Sequence, residues 1–217
     1  MYWKILMSVL LMTASVSLSS NVFAQGPLEA AIVKAGLQMS DVKAVTTFYY
    51  QNPQPEKLIS VLKVLLTVNE FTSDSNRFAI ITHLISTIAH NDKTVLERLT
   101  SLENSSSEES KKALEQIVQD ANNFQSPLGD TQEHLNYLWA EFFATGKDDS
   151  VKKIIDALRL PVEKKANQEL VVIALWSLGS NAKQHTKVYE IIKEQALKAN
   201  GTGKDQLEKI LEQTNTK

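Results

Sequence analysis

The side chains best suited to chemistry are four histidines, a pair of adjacent aspartates and a glutamate set within an apolar helical pattern. His83 and His90 lie seven residues apart. On a helix that spacing puts them on one face but two turns apart, too far to share a metal unless a third group folds over them. No H-E-x-x-H is present and no two histidines stand four apart, so no metal site is expected. Asp148 and Asp149 fall at a predicted helix start, where carboxylates meet the positive end of the helix dipole. That placement accounts for them without catalysis. Glu141 sits one turn before the polar corner that holds them, in "LWAEFFATG". A buried glutamate there would make a general acid, whereas one on the polar rim would simply be solvated, and the rim is the expectation.

A second group of polar residues, Ser180, Asn181, Gln184 and His185, clusters at the end of an apolar helix. Such a cluster either lines a groove that binds a partner's backbone or satisfies the free carbonyls and amides of helix ends, and the second role is the more economical. Phe48, Tyr49 and Tyr50 are three consecutive aromatics that cannot all face inward; Tyr49 or Tyr50, beside Asn52 and Pro53, is a candidate contact. The candidate partner-binding residues are therefore Tyr49, Tyr50, Asn181, Gln184 and His185. The segment "GTGK", Gly201 to Lys204, lacks the leading glycine, the following Ser or Thr and the preceding strand of a phosphate loop, and is expected to be a flexible turn. No G-x-S-x-G is present, which removes the common serine-hydrolase elbow. The sole Glu-Ser, Glu109-Ser110, lies in a serine-rich stretch and without a "GLMQ"-like segment does not match the lytic transglycosylases. No catalytic residue and no cofactor is expected.

The elements that must hold these residues are helical throughout. Pro27 opens a helix that ends near Gly36, and Ser40 is the expected cap of the next. Pro55 begins a third, in which Leu58, Leu62, Leu65 and Leu66 share a face. Ile81, Leu84, Ile85 and Ile88 form one stripe, followed after "ND" by "KTVLERLTSL". Ser106 and Glu109 are spaced as a capping box for the helix after them. "SPLGDT" is the clearest break, where an N-terminal half would part from a C-terminal half, although one continuous body is expected. Gly146 then ends a helix, and Asp148, Asp149 and Ser150 cap and charge the next. Further helices are expected from about Pro161 and Gln184. The ambiguous run "ELVVIALW" is assigned to a buried helix by its length and its helix-forming neighbours. The fold class is all-α, with helical hairpins stacked as a short α-solenoid or a compact bundle.

Composition agrees. The chain has 217 residues, 43% of them hydrophobic, with 7 Gly, 5 Pro and no Cys. It can bury a sizeable core, and thiol chemistry and disulfides are excluded. A net charge of -2 gives no footprint for nucleic acid. Residues 1–24 carry Lys4, an apolar run and Val22 and Ala24 at small-residue positions, the pattern of a secretory signal peptide cleaved after Ala24. The organisation expected is a signal peptide over 1–24, a helical repeat-like domain over 25–200 and a short C-terminal helix and tail over 201–217. A periplasmic or secreted location follows, with no transmembrane segment after cleavage.

"LWAEFFATGKDDSVKKII" and "LWSLGSNAKQHTKVYEII" pair Leu138 with Leu175, Trp139 with Trp176, Val151 with Val188, Ile154 with Ile191 and Ile155 with Ile192. The offset is 37 in every pair (176 − 139 = 37). That period suits stacked helical hairpins, which must bury each other's stripes, so both tryptophans are expected to face inward. The layout is loosely similar to tetratricopeptide-like repeats, although "WSLG" has one residue where those repeats place two. From Leu138 onward, "LWAEFFATG" and "WSLGSNAKQHTKV" resemble stretches of uncharacterised exported all-helical proteins of Gram-negative bacteria. The resemblance implies compartment and fold and carries no activity. The expected function is an exported, non-enzymatic protein- or peptide-binding module or scaffold of the bacterial envelope. The alternatives are a small cell-wall-directed hydrolase and a secreted factor acting on a host cell.

Overall fold

Prolines and glycines set the first boundaries. Pro27 stands at the first position of α1 (Pro27–Lys34), where its missing N–H is not needed. Gly36, at φ +72°, closes that helix in a Schellman arrangement: its N–H donates to the Val33 carbonyl at 2.9 Å and the Leu37 N–H to Ile32 at 3.0 Å. The second helix, α2 (Met39–Thr47), is capped by Gln38 and not by Ser40, because the Asp41 carboxylate reaches back to the Gln38 N–H at 2.8 Å and completes a capping box. A 3₁₀ turn, Tyr49–Gln51, leads to α3 (Pro55–Leu65), which Pro55 opens. Asp74 caps α4 (Ser75–Asn91) by accepting from the Arg77 N–H, and Asp92 caps α5 (Lys93–Asn104) by accepting from Thr94. The sixth helix, α6, spans Glu108–Asn122.

The computed structural model describes residues 26–68, 74–126, 129 and 131–215, the side chains of Glu109 and Asn215 excepted. The expected signal peptide lies outside the described residues. Among them are eleven α-helices and no strand, so the fold is all-α. No described helix is long and apolar enough to cross a membrane. After α6 come α7 (Gln132–Thr145), α8 (Asp148–Asp156), a 3₁₀ turn (Ala157–Arg159), α9 (Lys165–Ala182), α10 (Thr186–Lys198) and α11 (Gly201–Asn215).

The chain divides into two units, residues 1–125 with 143–146, and residues 126–142 with 147–217. In the first, α4 packs on α5 and α6, α5 on α3 and α6, and α3 on α1 and α2. Leu58, Leu62, Leu84, Ile88, Leu99, Leu114 and Ile117 are almost wholly buried. Each such side chain contributes about 1.5–3 kcal/mol by leaving water. The Ser86 hydroxyl donates to the Ile117 carbonyl at 3.1 Å and that of Thr87 to the His83 carbonyl at 2.7 Å, so these two buried hydroxyls are satisfied. In the second unit α8 packs on α9 and α10, and α11 covers α9 and α10. Val151, Ile154 and Ile155 of α8 and Val188, Ile191 and Ile192 of α10 form its core, and Leu207 and Ile210 bring α11 into it.

Three local expectations are corrected. Ser106 does not form a capping box: its hydroxyl donates back to the Leu102 carbonyl at 2.7 Å, and Ser107 is the N-cap of α6. Pro161 does not begin α9. The Asn167 and Gln168 amides donate to the carbonyls of Pro161 and Val162 at 2.7 and 2.6 Å, holding a turn ahead of a helix that starts at Lys165. "GTGK" is not a loose turn but the opening of α11, a 15-residue helix packed on two others.

Candidate functional site

The corner between α7 and α8 is built on one glycine. Thr145 is the last residue of α7, and Gly146 follows at φ +65°. A Cβ at that position would lie 2.5 Å from Cδ2 and 3.0 Å from Cγ of Tyr50, so the ring of Tyr50 occupies the space that any larger residue would need. Asp148 and Asp149 open α8 and complement its dipole, but neither caps it through its side chain. Asp148 instead pairs with Lys187 at 3.0 Å and Lys152 at 3.9 Å. Asp148 is thus engaged structurally at the start of a helix, and Asp149 beside it is exposed.

Glu141 is buried and not on the rim. It is 8% exposed, and the equally buried Ser150 donates to it at 3.3 Å. The expectation of a rim position followed from the rarity of buried glutamates; here the hydroxyl one turn into α8 helps the carboxylate tolerate the interior.

The corner between α9 and α10 accounts for the second polar cluster. Asn181 is buried, its side-chain amide donating to the Ser177 carbonyl at 3.0 Å. Its own carbonyl accepts from the N–H groups of Gln184 and His185 at 3.0 and 2.8 Å. His185 is fully buried at the N-cap of α10, edge-on to Phe142 with ring centres 5.8 Å apart. The two residues close a helix end and fill the core, whereas Gln184 is half-buried. Of the paired tyrosines, Tyr49 is buried and Tyr50 half-buried. Burial, with Asp92 adding like charge, pushes the Tyr49 phenol up to about 12. Tyr49, Asn181 and His185 are thus buried, and Tyr50 and Gln184 are the half-buried members of the predicted set.

His83 and His90 do have a third group between them, and it is an aromatic ring. Phe124 stacks on His83 at 5.5 Å and on His90 at 5.0 Å, and His90 Nδ1 lies 3.0 Å from the Ala121 carbonyl. The two imidazoles clamp the end of α6 to α4 and do not converge on a common point. Among the described residues no group of three or more His, Asp or Glu side chains is arranged to hold a metal.

Sequence reasoning missed the outward face of α9. Trp176 is 42% exposed and Val172 64%, one turn apart, while Trp139 of α7 is 5% exposed. The expectation that both tryptophans face inward is wrong for Trp176. The signal was present: at 100° per residue Lys165, Glu169, Val172, Trp176 and Lys183 share one face, and only a solvent-facing stripe carries that many charges. No family model, curated protein or solved structure matches the chain.

Proposed function

We propose that this chain is an exported, non-enzymatic helical protein of the bacterial envelope that binds a protein or peptide partner through the outward face of α9. The observation that carries the reading is the exposed pair Val172 and Trp176 on that helix. An indole beside a β-branched side chain offers apolar area at low entropic cost, and tryptophan is the residue type most enriched where binding energy concentrates. Single exposed apolar residues are ordinary, but two placed one turn apart form a patch. Lys165 and Lys183 at its ends supply a polar rim. Export rests on the sequence of residues 1–24, and the non-enzymatic reading on the ion pairs of Asp148, the burial of His185 in the core and the engagement of the buried Glu141 by Ser150.

A photocrosslinking residue at position 176, compared with one at the exposed Lys209 of α11, tests the binding face in producing cells. A discrete adduct from 176, absent from 209 and lost on Val172→Glu, is the expected outcome. The same smear from both positions, or no adduct from 176, overturns it. Fractionation of a C-terminally tagged chain tests export: a cytosolic protein that retains its first 24 residues refutes that part.

A further inference from the structure

The second unit holds a cavity of about 330 Å³ between the start of α7, the last turn of α8, the residues after it and α9. This is near the lower limit for small-ligand sites, roughly 300 Å³. We propose that it binds an apolar group carrying a carboxylate, either the last residue of a peptide or a short free acyl acid. The inference is independent of the α9 face.

The wall is apolar. Leu135 and Leu170 are buried beside it and Leu160 is half-buried, enough to cover one aliphatic side chain. Two donors at the rim are uncommitted. Lys153 lines the cavity, is exposed, and makes no ion pair with a described carboxylate. The Thr131 hydroxyl accepts from the His134 N–H at 3.1 Å, which leaves its own proton to donate. The acid on this rim, Asp156, is held by Arg159 at 2.8 Å, so its charge is already balanced. An apolar wall, an ammonium and a hydroxyl donor suit an anionic head on an aliphatic body; a neutral or cationic head would leave Lys153 unused.

The test uses the whole purified chain and backbone amide NMR shifts, with three probes: acetyl-Ala-Ala-Ala-Leu as the free acid, the same peptide amidated, and hexanoate. The free acid is expected to shift the amides of Leu135, Lys153 and Leu160. Amidation should weaken binding about fivefold, the upper range for an ion pair at a solvent-facing position. Lys153→Gln should lower the free acid's affinity to that of the amide, and Lys153→Arg should retain it. Hexanoate binding as tightly as the peptide assigns the site to acyl acids; weaker binding assigns it to peptide ends. Equal binding of acid and amide, shifts scattered away from the cavity, or none with millimolar probe overturns the proposal. Crosslinking at position 176 in the Lys153→Gln background separates the two readings, because it survives if only this one fails.

Discussion

Gly146→Ala should be among the most damaging small substitutions in the first unit. Two separate costs meet at this residue. Its φ of +65° is left-handed, which costs a non-glycine residue about 1–2 kcal/mol. The added methyl would also stand 2.5 Å from Cδ2 of Tyr50, well inside contact distance, with backbone on one side and a half-buried ring on the other. Overpacking of this kind costs about 1–3 kcal/mol, so the whole effect should be about 2–5 kcal/mol. Gly36→Ala supplies the control. Gly36 has a similar φ of +72°, but a Cβ there meets nothing within 4 Å, so it carries the backbone cost alone. Urea denaturation followed by circular dichroism at unchanged slope gives both values. Gly146→Ala should exceed Gly36→Ala by at least about 1 kcal/mol, and Tyr50→Ala should close most of that gap in the double variant. Equal losses for the two glycines, or no rescue by Tyr50→Ala, would refute the steric argument.

The paired tryptophans should respond unequally. Trp139→Ala should cost about 3–5 kcal/mol as a buried aromatic, and Trp176→Ala under about 1 kcal/mol as a surface substitution, with denaturation midpoints as the measurement. Tyr49 makes stability fall in alkali: an unfolded tyrosine ionises near 10.0 while the folded phenol stays neutral to about 12, so stability is intact below pH 10 and drains as the pH climbs toward 12. Tyr137, raised to about 12 by burial and by its hydrogen bond to Glu133, acts in the same direction. Tyr49→Phe should therefore reduce the alkaline loss, and an unchanged difference between midpoints at pH 9 and pH 11 would count against it. Asp41 lies below the usual carboxylate range because Lys57 and the Gln38 N–H hold its charged form. Its contribution is present above that range and is lost as pH falls through the folded value; Lys57→Met should move its NMR titration midpoint upward.

The parts of the fold that depend on neighbours in sequence were legible. Pro27, Pro55, Gly36 and Gly146 mark helix ends through their own backbone chemistry, and each does so in the structure. The capping of α4 and α5 by Asp74 and Asp92 follows from the same local logic. Competition between equally local signals was harder to resolve. Ser40 and Gln38 are both able to cap α2, and the carboxylate of Asp41 decides for Gln38. Pro161 permits a helix start, but two side-chain amides hold the chain in a turn. The candidate site was least legible because exposure is set by contacts distant along the chain. The polarity of Asn181 and His185 suggests a surface, yet Asn181 donates to the Ser177 carbonyl, His185 packs edge-on to Phe142, and both lie inside.

The 37-residue offset shows the same division between the two hairpins it relates. Val151 and Val188 are both fully buried, as are Ile154 and Ile191, and Ile155 and Ile192, to within a few per cent. The helix ends coincide too, Thr145 against Ala182. The second helix of each hairpin therefore packs alike. The first does not: Leu135 is 3% exposed and its counterpart Val172 64%, and Trp139 is 5% exposed and its counterpart Trp176 42%. The sequence places the same kinds of side chain on α7 and α9, but only the stripe on α7 is covered. In stacked hairpins each stripe is buried by a neighbouring element, and under the proposed binding function the uncovered copy is the place where a partner fits. Lysine or glutamate at 172 and 176 would serve a solvated face equally well. Under that proposal the indole and valine there meet an apolar partner, and the crosslink from position 176 is the measurement that decides it.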